Sequence, residues 1–176
     1  LNRATQTLRQ PGSSIKPLSV YSPAIEYGLI TPSTIVNDSK ISFGDWTPRN
    51  DDRRFLGKIT VRAALRGSRN IPAVKICDYL TPEASFDFLR DRYHISSLVE
   101  SEKRNGKTFT DIGLSQIALG GFTDGVTVLD MCAAYCVFPN GGTYITPSTY
   151  TKVLDSNGKV LLEHNKKGKI AISEST

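Results

Sequence analysis

Apolar residues recur at intervals of three and four along most of the chain, and this spacing predicts a mainly helical protein. The first helix is expected to begin near Ser13, with an interruption at Pro23. Further helices are predicted on both sides of a polar break at residues 67–70, from an N-cap at Thr81 to near His94, and over residues 114–119 and 126–137.

The pattern changes in two other parts of the chain. Residues 31–58 show neither a helical nor an alternating period and are expected to form a long loop, either ordered or disordered, and a charged loop is expected up to Lys107. Near the end, the segment Asp155-Ser156-Asn157-Gly158 separates two short runs, 150–154 and 159–163. An Asn-Gly turn between short runs predicts a β-hairpin.

Composition narrows the possible functions only slightly. The chain has 176 residues, 39% of them hydrophobic and 22% charged, which is typical of a globular domain. Its net charge of +5 comes from scattered basic residues without interleaved aromatics, so a nucleic-acid partner is not expected. The charge favours solubility and is also compatible with attraction to an anionic polymer. No apolar run is long enough to span a membrane, and the first residues do not resemble a signal peptide.

The cysteines and histidines offer little chemistry. Cys77, Cys132 and Cys136 lie in apolar helical patterns and are expected to pack in the core. Cys132 and Cys136 could form half of a metal site, but no acidic or histidine pair accompanies them at ligand spacing. His94 and His164 stand alone in polar surroundings, where solvated or structural roles are expected. No metal and no cofactor is predicted.

One motif has the composition of a nucleophile and its base. Ser13 and Lys16 form an S-x-x-K pattern, and residues three apart on a helix share a face. A serine becomes a useful nucleophile when a neighbouring base accepts its proton, and burial lowers the pKa of a lysine so that it can act as that base. A second match, Ser156 to Lys159, falls in the predicted hairpin turn and is assigned to turn geometry.

A second motif, S-x-N, occurs at Ser68-Arg69-Asn70, in the break between two predicted helices. Taken alone it is equally consistent with a loop cap. In a cleft, the serine hydroxyl could relay a proton between the lysine and a leaving nitrogen, and the asparagine amide could hold a substrate carbonyl or amide. The two motifs together are more specific than either one.

Beyond these motifs, the sequence resembles class A penicillin-binding proteins over nearly its whole length. The segment Gln10-Pro11-Gly12-Ser13-Ser14-Ile15-Lys16-Pro17 resembles the nucleophile segment of that family. Other similar segments follow in the family order: Asn2-Arg3-Ala4-Thr5 before it, then Gly57 to Leu65 leading into Ser68 to Val74, Leu119-Gly120-Gly121, Gly125-Val126-Thr127, Ala134-Tyr135 and Asn140-Gly141-Gly142.

The resemblance implies roles for the residues of both motifs. Ser13 would be the acylated nucleophile, Lys16 its base, Ser68 the proton relay and Asn70 a contact to the substrate amide. The identity of the acylation base is disputed in the related β-lactamases, so the role of Lys16 is a hypothesis. The implied fold is the α+β serine β-lactamase and D,D-peptidase-like transpeptidase fold. Residues 1–176 would form part of one such domain, mainly its helical subdomain with a C-terminal β-hairpin.

The resemblance also implies a biological setting. The expected substrates are peptidoglycan stem peptides ending in D-Ala-D-Ala, and the expected inhibitors are β-lactam antibiotics. The parent protein would be anchored in the membrane, carry a glycosyltransferase domain and act at the extracytoplasmic face of the bacterial cell membrane.

The third motif of the family, K-T-G on a strand that lines the site, is not found. Lys107-Thr108 is a decoy, because Phe109 stands where the motif requires a small residue and the pair precedes Leu119-Gly120-Gly121. The missing strand would supply an oxyanion-hole donor, whose loss costs on the order of 10²–10³ in rate. The chain alone is therefore expected to be weakly active or inactive unless a second chain completes the sheet.

Two alternatives remain open. A β-lactamase of class A would need a deacylating glutamate in an E-x-x-L-N-like loop, and the segment from Glu100 to Asn105 has carboxylates without that pattern. A non-catalytic penicillin sensor or scaffold would not need the serine, lysine and asparagine residues of both motifs, which are all present.

Overall fold

The computed structural model describes residues 2–164 and 167–176. A continuous helical run begins where the sequence predicts, although its geometry changes along the way: a 3-10 turn at Gly12–Ile15 is followed by a π-helical stretch at Pro17–Tyr21 and by α1 at Ser22–Glu26. The expected interruption at Pro23 does not occur, although the geometry of the run changes from π-helical to α-helical just before this proline. The carbonyl of Ser19, four residues before Pro23, accepts a hydrogen bond from the Ser85 hydroxyl.

The other predicted helices are confirmed, with small shifts at their ends. They are α2 at Val61–Arg66, α3 at Asn70–Leu80, α4 at Pro82–Asp91, α5 at Leu114–Leu119 and α6 at Val128–Tyr135. Thr81 caps α4 as predicted, its hydroxyl accepting from the Ala84 N–H at 3.2 Å. The polar break between α2 and α3 therefore presents the S-x-N motif at the start of a helix.

Within the described residues, the strands form four two-stranded antiparallel sheets. The strands are β1 at Ile35–Asp38, β2 at Gly57–Thr60, β3 at Glu102–Arg104, β4 at Lys107–Phe109, β5 at Thr143–Tyr144, β6 at Lys152–Leu154, β7 at Val160–Glu163 and β8 at Lys169–Ile170. The pairs are β1 with β2, β3 with β4, β5 with β8 and β6 with β7. The last pair confirms the predicted hairpin.

Two loop predictions were wrong in part. The stretch 31–58 contains β1 and the start of β2, which pair from Ile35 opposite Thr60 to Asp38 opposite Gly57. This pairing closes the intervening loop and brings Asp38 close to the start of α3. The charged loop before Lys107 is instead a hairpin of β3 and β4, with its turn at Asn105-Gly106, where both residues have positive φ.

The core forms where the helical run at residues 12–26 packs against α3, α4 and α5. Its largest fully buried apolar side chains include Tyr21, Tyr93, Phe86, Phe88, Ile15, Leu18, Ile71, Leu89, Ile95 and Ile117. Among the described residues, no helix is long and apolar enough to cross a membrane.

The expectation of three core cysteines is correct for Cys77 and wrong for the other two. Cys132 and Cys136 are exposed. Cys132 lies on α6 and Cys136 directly follows its end; only Ala133 and Ala134 of this helix are buried, so its apolar pattern does not mark a buried face. Of the solvated and structural roles expected for His94, its packing fits the structural one: its ring lies edge-on against that of Tyr144, with centroids 4.7 Å apart.

Candidate active site

The segment that carries Ser13 is held at both ends by other parts of the chain. The Gly12 N–H donates to the Gly120 carbonyl at 3.2 Å, and the Gln10 side-chain amide donates to the Phe122 carbonyl at 2.6 Å. From α6, the hydroxyl of Tyr135 donates to the Ser14 carbonyl at 2.6 Å. These contacts fix the 3-10 turn against the loop that follows α5.

Lys16 is buried at the end of this turn, with only 1% of its surface exposed. Its Nζ donates to three acceptors: the Ser68 carbonyl at 2.8 Å, the Ser68 hydroxyl at 3.3 Å and the Asn70 Oδ1 at 2.6 Å. The two sequence motifs thus meet at one ammonium group, although 52 residues separate Lys16 from Ser68.

The surroundings of Lys16 bring its pKa closer to neutral pH than that of an ordinary lysine. Burial, and then the positive charge of Arg69, lower the pKa of Lys16 from 10.5 to about 8. The three acceptors favour the charged form, so burial and like charge outweigh them. A lysine with a pKa near the working pH can take up and return a proton.

Ser68 reaches Lys16 by an unusual backbone conformation. Its φ is +48°, in the left-handed region that costs a non-glycine residue roughly 1–2 kcal/mol. In this conformation the carbonyl and the hydroxyl of Ser68 both lie within hydrogen-bond distance of the lysine Nζ. Strained residues of this kind cluster at functional sites.

Asn70 is the first residue of α3, and both ends of its side-chain amide are engaged. Its Oδ1 accepts from Lys16, and its Nδ2 donates to the Arg49 carbonyl at 2.8 Å. The amide therefore has a fixed orientation, with one N–H left to donate to another group.

Ser13 is exposed and lies one 3-10 turn before Lys16, whose N–H donates to the Ser13 carbonyl. Residues three apart in a 3-10 turn are eclipsed, so both side chains project from the same face. Within the described residues, the Ser13 hydroxyl makes no hydrogen bond to Lys16. The structure thus brings Lys16, Ser68 and Asn70 into contact, and the activation of Ser13 by Lys16 stays a prediction.

The sequence model of the family described as "Penicillin binding protein transpeptidase domain" matches residues 1–176. The chain belongs to this family. The resemblance seen in the sequence is therefore confirmed, and so is the implied fold class, because solved penicillin-binding proteins superpose on this chain.

Individual relatives agree with the family assignment. Penicillin-binding protein 4 of Bacillus subtilis is 40% identical over 166 residues, which is 94% of this chain and 25% of that protein. The crystal structure of penicillin-binding protein 1A from Haemophilus influenzae has 35% identity and a TM-score of 0.76, covering 96% of this chain and 24% of that chain. The structure of the penicillin-binding protein PonA1 from Mycobacterium tuberculosis has 25% identity and a TM-score of 0.80, covering 99% of this chain and 46% of that chain. The chain spans about a quarter of the length of its curated relatives.

The two decoys of this transpeptidase-family chain lie in different surroundings. Lys159 is exposed and follows the hairpin turn, where its backbone N–H donates to Asp155 Oδ1 at 2.9 Å. Lys107 and Thr108 are exposed on β4, which pairs with β3. Neither pair resembles the buried lysine site.

The sequence analysis missed a buried polar network behind the S-x-N motif. Arg69, the middle residue of the motif, is 7% exposed, and its Nε donates to Asp38 Oδ2 at 2.9 Å. Asn50 and Asp38 are also buried, at 3% and 0% exposed. The signal available was the polar segment Trp46-Thr47-Pro48-Arg49-Asn50, but it lies in the stretch without periodicity.

Proposed function

We propose that this chain supplies the nucleophile segment and the S-x-N motif of a peptidoglycan D,D-transpeptidase, which cross-links stem peptides through an acyl-serine and is acylated by penicillin at the same serine. The observation that carries the proposal is the buried Lys16, whose pKa of about 8 and contacts to Ser68 and Asn70 suit a base one turn from Ser13.

In the first half-reaction, the Ser13 oxygen attacks the carbonyl carbon of the penultimate D-Ala, and its proton passes to the free amine of Lys16. The C–N bond of the tetrahedral intermediate then breaks. The terminal D-Ala leaves with a proton on its nitrogen, delivered from Lys16 through the Ser68 hydroxyl, which lies 3.3 Å from Nζ. The acyl group remains as an ester on Ser13.

In the second half-reaction, an amine of another stem peptide attacks this ester and loses a proton to the Lys16 amine. Lys16 returns that proton to the Ser13 oxygen as the acyl C–O bond breaks, which restores the Ser13 hydroxyl and the free amine. Asn70 contributes through its remaining N–H, which can donate to a substrate carbonyl while its Oδ1 stays on Lys16. A penicillin follows the first half-reaction only: its ring amide opens, and the nitrogen stays attached to the acyl group.

The setting of this activity is part of the same proposal. The whole protein would act at the extracytoplasmic face of the bacterial cell membrane, anchored in it and carrying a glycosyltransferase domain. Its partners would be stem peptides and β-lactams, without nucleic acid. A second chain could complete the sheet if the K-T-G strand lies outside this sequence.

The test is to label the full-length gene product with a fluorescent penicillin and to locate the adduct by peptide mapping. We expect the label on Ser13, its loss in Ser13→Ala, and its retention in Ser14→Ala, because the Ser14 hydroxyl is already hydrogen-bonded to the Pro11 carbonyl at 2.7 Å. A model peptide ending in D-Ala-D-Ala should release D-Ala under the same dependence.

Each alternative predicts a different result. An unlabelled Ser13 in a folded protein would favour a scaffold, whereas a label without D-Ala release would favour a penicillin sensor. Rapid hydrolysis of the bound penicillin would favour a β-lactamase-like hydrolase over the slow turnover that we expect.

A further inference from the structure

The N-terminus of α3 has a helix cap that is remote in sequence. The first N–H groups of a helix have no partner within the helix, and a side chain at the N-cap position usually accepts from them. Arg69 occupies that position and makes no such bond. Instead, Asn50 Oδ1 accepts from the N–H of Asn70 at 2.9 Å and from that of Ile71 at 3.2 Å.

Asn50 is itself held rigidly from behind. Its Nδ2 donates to Asp38 Oδ1 at 2.7 Å and to the Arg54 carbonyl at 2.9 Å. The two lone pairs of Oδ1 and the two N–H groups of Nδ2 are therefore all used. A side chain that is 3% exposed and saturated in this way has one orientation, since any rotation would leave buried polar groups unpaired.

The network continues to the other side of the S-x-N motif. Asp38 Oδ2 accepts from Arg69 Nε at 2.9 Å and from the Leu56 N–H at 3.1 Å. A second carboxylate, that of Asp52, lies 2.8 Å from Arg69 Nη1. The Asp38–Arg69 pair is buried, so its two members are strongly coupled: removing either one would leave the other without its buried counter-charge. Residues 69 and 70 are thus both tied to Asn50, one through Asp38 and one directly.

Arg49, the residue before Asn50, also contacts Asn70. The Arg49 carbonyl accepts from Asn70 Nδ2 at 2.8 Å, while Asn50 holds the Asn70 backbone N–H. Two adjacent loop residues therefore fix both the backbone and the side chain of Asn70. The remaining end of that amide, Oδ1, points to Lys16 Nζ at 2.6 Å.

We propose that Asn50 is a positioning residue for the acyl-transfer site: by capping α3 it directs the Asn70 side chain toward Lys16, although it touches neither the lysine nor the serine nucleophile. This inference rests on the proposed function and adds to it a residue outside both motifs. It also assigns a task to the Trp46–Asn50 segment, which presents Arg49 and Asn50 to the site.

The test measures penicillin acylation of Asn50→Ala in the full-length protein, with the rate at saturating penicillin separated from the binding constant. Misplacement of a catalytic group by about 1 Å costs on the order of 100-fold, and we expect a loss of that size in the saturating rate per folded molecule. The control is Asn37→Ala, an exposed asparagine of β1 adjacent to Asp38, whose rate should match the wild type. A merely structural role would lower the melting temperature and leave the saturating rate unchanged, which would overturn the proposal.

A double variant separates positioning from general loss of structure. If Asn50 acts through Asn70, adding Asn50→Ala to Asn70→Ala should slow acylation by much less than it does in the wild type, while the loss of stability persists. Multiplicative effects on the rate would contradict the proposal.

A measurement on the wild type keeps the inference testable if Asn50→Ala does not fold. The Asn70 and Ile71 amides should exchange with solvent slowly, although first-turn amides lack partners within the helix. Exchange as fast as in an unfolded chain would refute the cap. Failure of the proposed function looks different, because the wild type itself would then carry no label on Ser13.

Discussion

The chain contains the S-x-x-K pattern twice, and the two copies show what the pattern alone does not determine. Ser13 and Lys16 lie in a helical run, where the lysine is buried and donates to three acceptors. Ser156 and Lys159 lie at a hairpin turn, and both are exposed. The spacing is identical in both places.

The difference comes from the structure around each copy. A 3-10 turn followed by a buried helix directs Lys16 into the protein, where burial and Arg69 lower its pKa. The hairpin turn is shaped by Gly158 and by the Asp155 carboxylate, which accepts from the backbone N–H groups of Asn157 and Lys159. The lowered pKa of the lysine therefore comes from its burial and from its charged neighbour, and the S-x-x-K spacing alone does not provide it.

Replacing the lysine of each copy should have the most unequal consequences for the acylation rate. Lys16→Ala removes the proposed base, and general-base catalysis contributes about 10²–10⁴-fold, so acylation by penicillin should slow by that factor. Lys159→Ala should leave the rate unchanged. Stopped-flow acylation of both variants in the full-length protein checks this, and an undiminished rate in Lys16→Ala would refute the assignment of the base.

One glycine near each copy, Gly120 and Gly158, provides a matched pair of alanine substitutions with smaller expected effects. Gly120 and Gly158 both have positive φ, +73° and +81°, so alanine strains each by roughly 1–2 kcal/mol. Only at Gly120 would the new Cβ collide with the backbone, lying 2.7 Å from the nitrogen of Gly12, whereas nothing lies within 4 Å at Gly158. Overpacking typically adds about 1–3 kcal/mol, so Gly120→Ala should lower the unfolding free energy more.

Denaturant unfolding of the two alanine variants gives the comparison directly. Gly120→Ala should also slow acylation, since Gly12 precedes Ser13, and Gly158→Ala should not. Equal losses of stability in the two variants would show that the close approach of Gly12 and Gly120 is unimportant.

The smallest expected effect is a change of about tenfold in acylation rate per pH unit below pH 8. In the proposed mechanism the free amine of Lys16 is the reactive form, so the rate should rise with pH and level off above the pKa of about 8. The folded domain should also gain stability from this residue between about pH 8 and 10.5, because the unfolded chain there binds more protons. A rate profile without an inflection near 8 would contradict this, and Lys159→Ala should keep the inflection.

The helices could be predicted because each has a local signal. Residues 114–119 match α5 at both ends, and Thr81 caps α4 as expected. The strands β1 and β2 could not, because each has four residues and its partner lies about 20 residues away in sequence. Pairing at that distance leaves no period in a local window.

Two other differences between the predicted and the observed structure show what a local sequence pattern leaves undetermined. The Asn105-Gly106 turn carries the same signal as Asn157-Gly158, but the charged strand Glu102–Arg104 beside it has no apolar alternation. At α6, the apolar spacing continues from Cys132 to Cys136 at the end of the helix, yet few residues of the helix are buried. Periodicity identifies an apolar face but not what packs against it.

Of the residues in the candidate site, the sequence predicted only those that belong to the two motifs. Lys16, Ser68 and Asn70 come together as the two motifs suggest, whereas Asn50 and Asp38 lie in a stretch without periodicity that does not identify them. Their importance comes from hydrogen bonds between segments 12 to 31 residues apart, which only the folded chain brings together.

The left-handed backbone at Ser68 limits which amino acids can occupy that position. Glycine, asparagine and aspartate tolerate this conformation best, and β-branched residues do so poorly. Glycine and asparagine would remove the hydroxyl beside Lys16, and aspartate would hold the lysine in its charged form. Every one of these substitutions would therefore disable the proposed proton relay, so the chemistry of the site retains serine at a position where the backbone favours other residues.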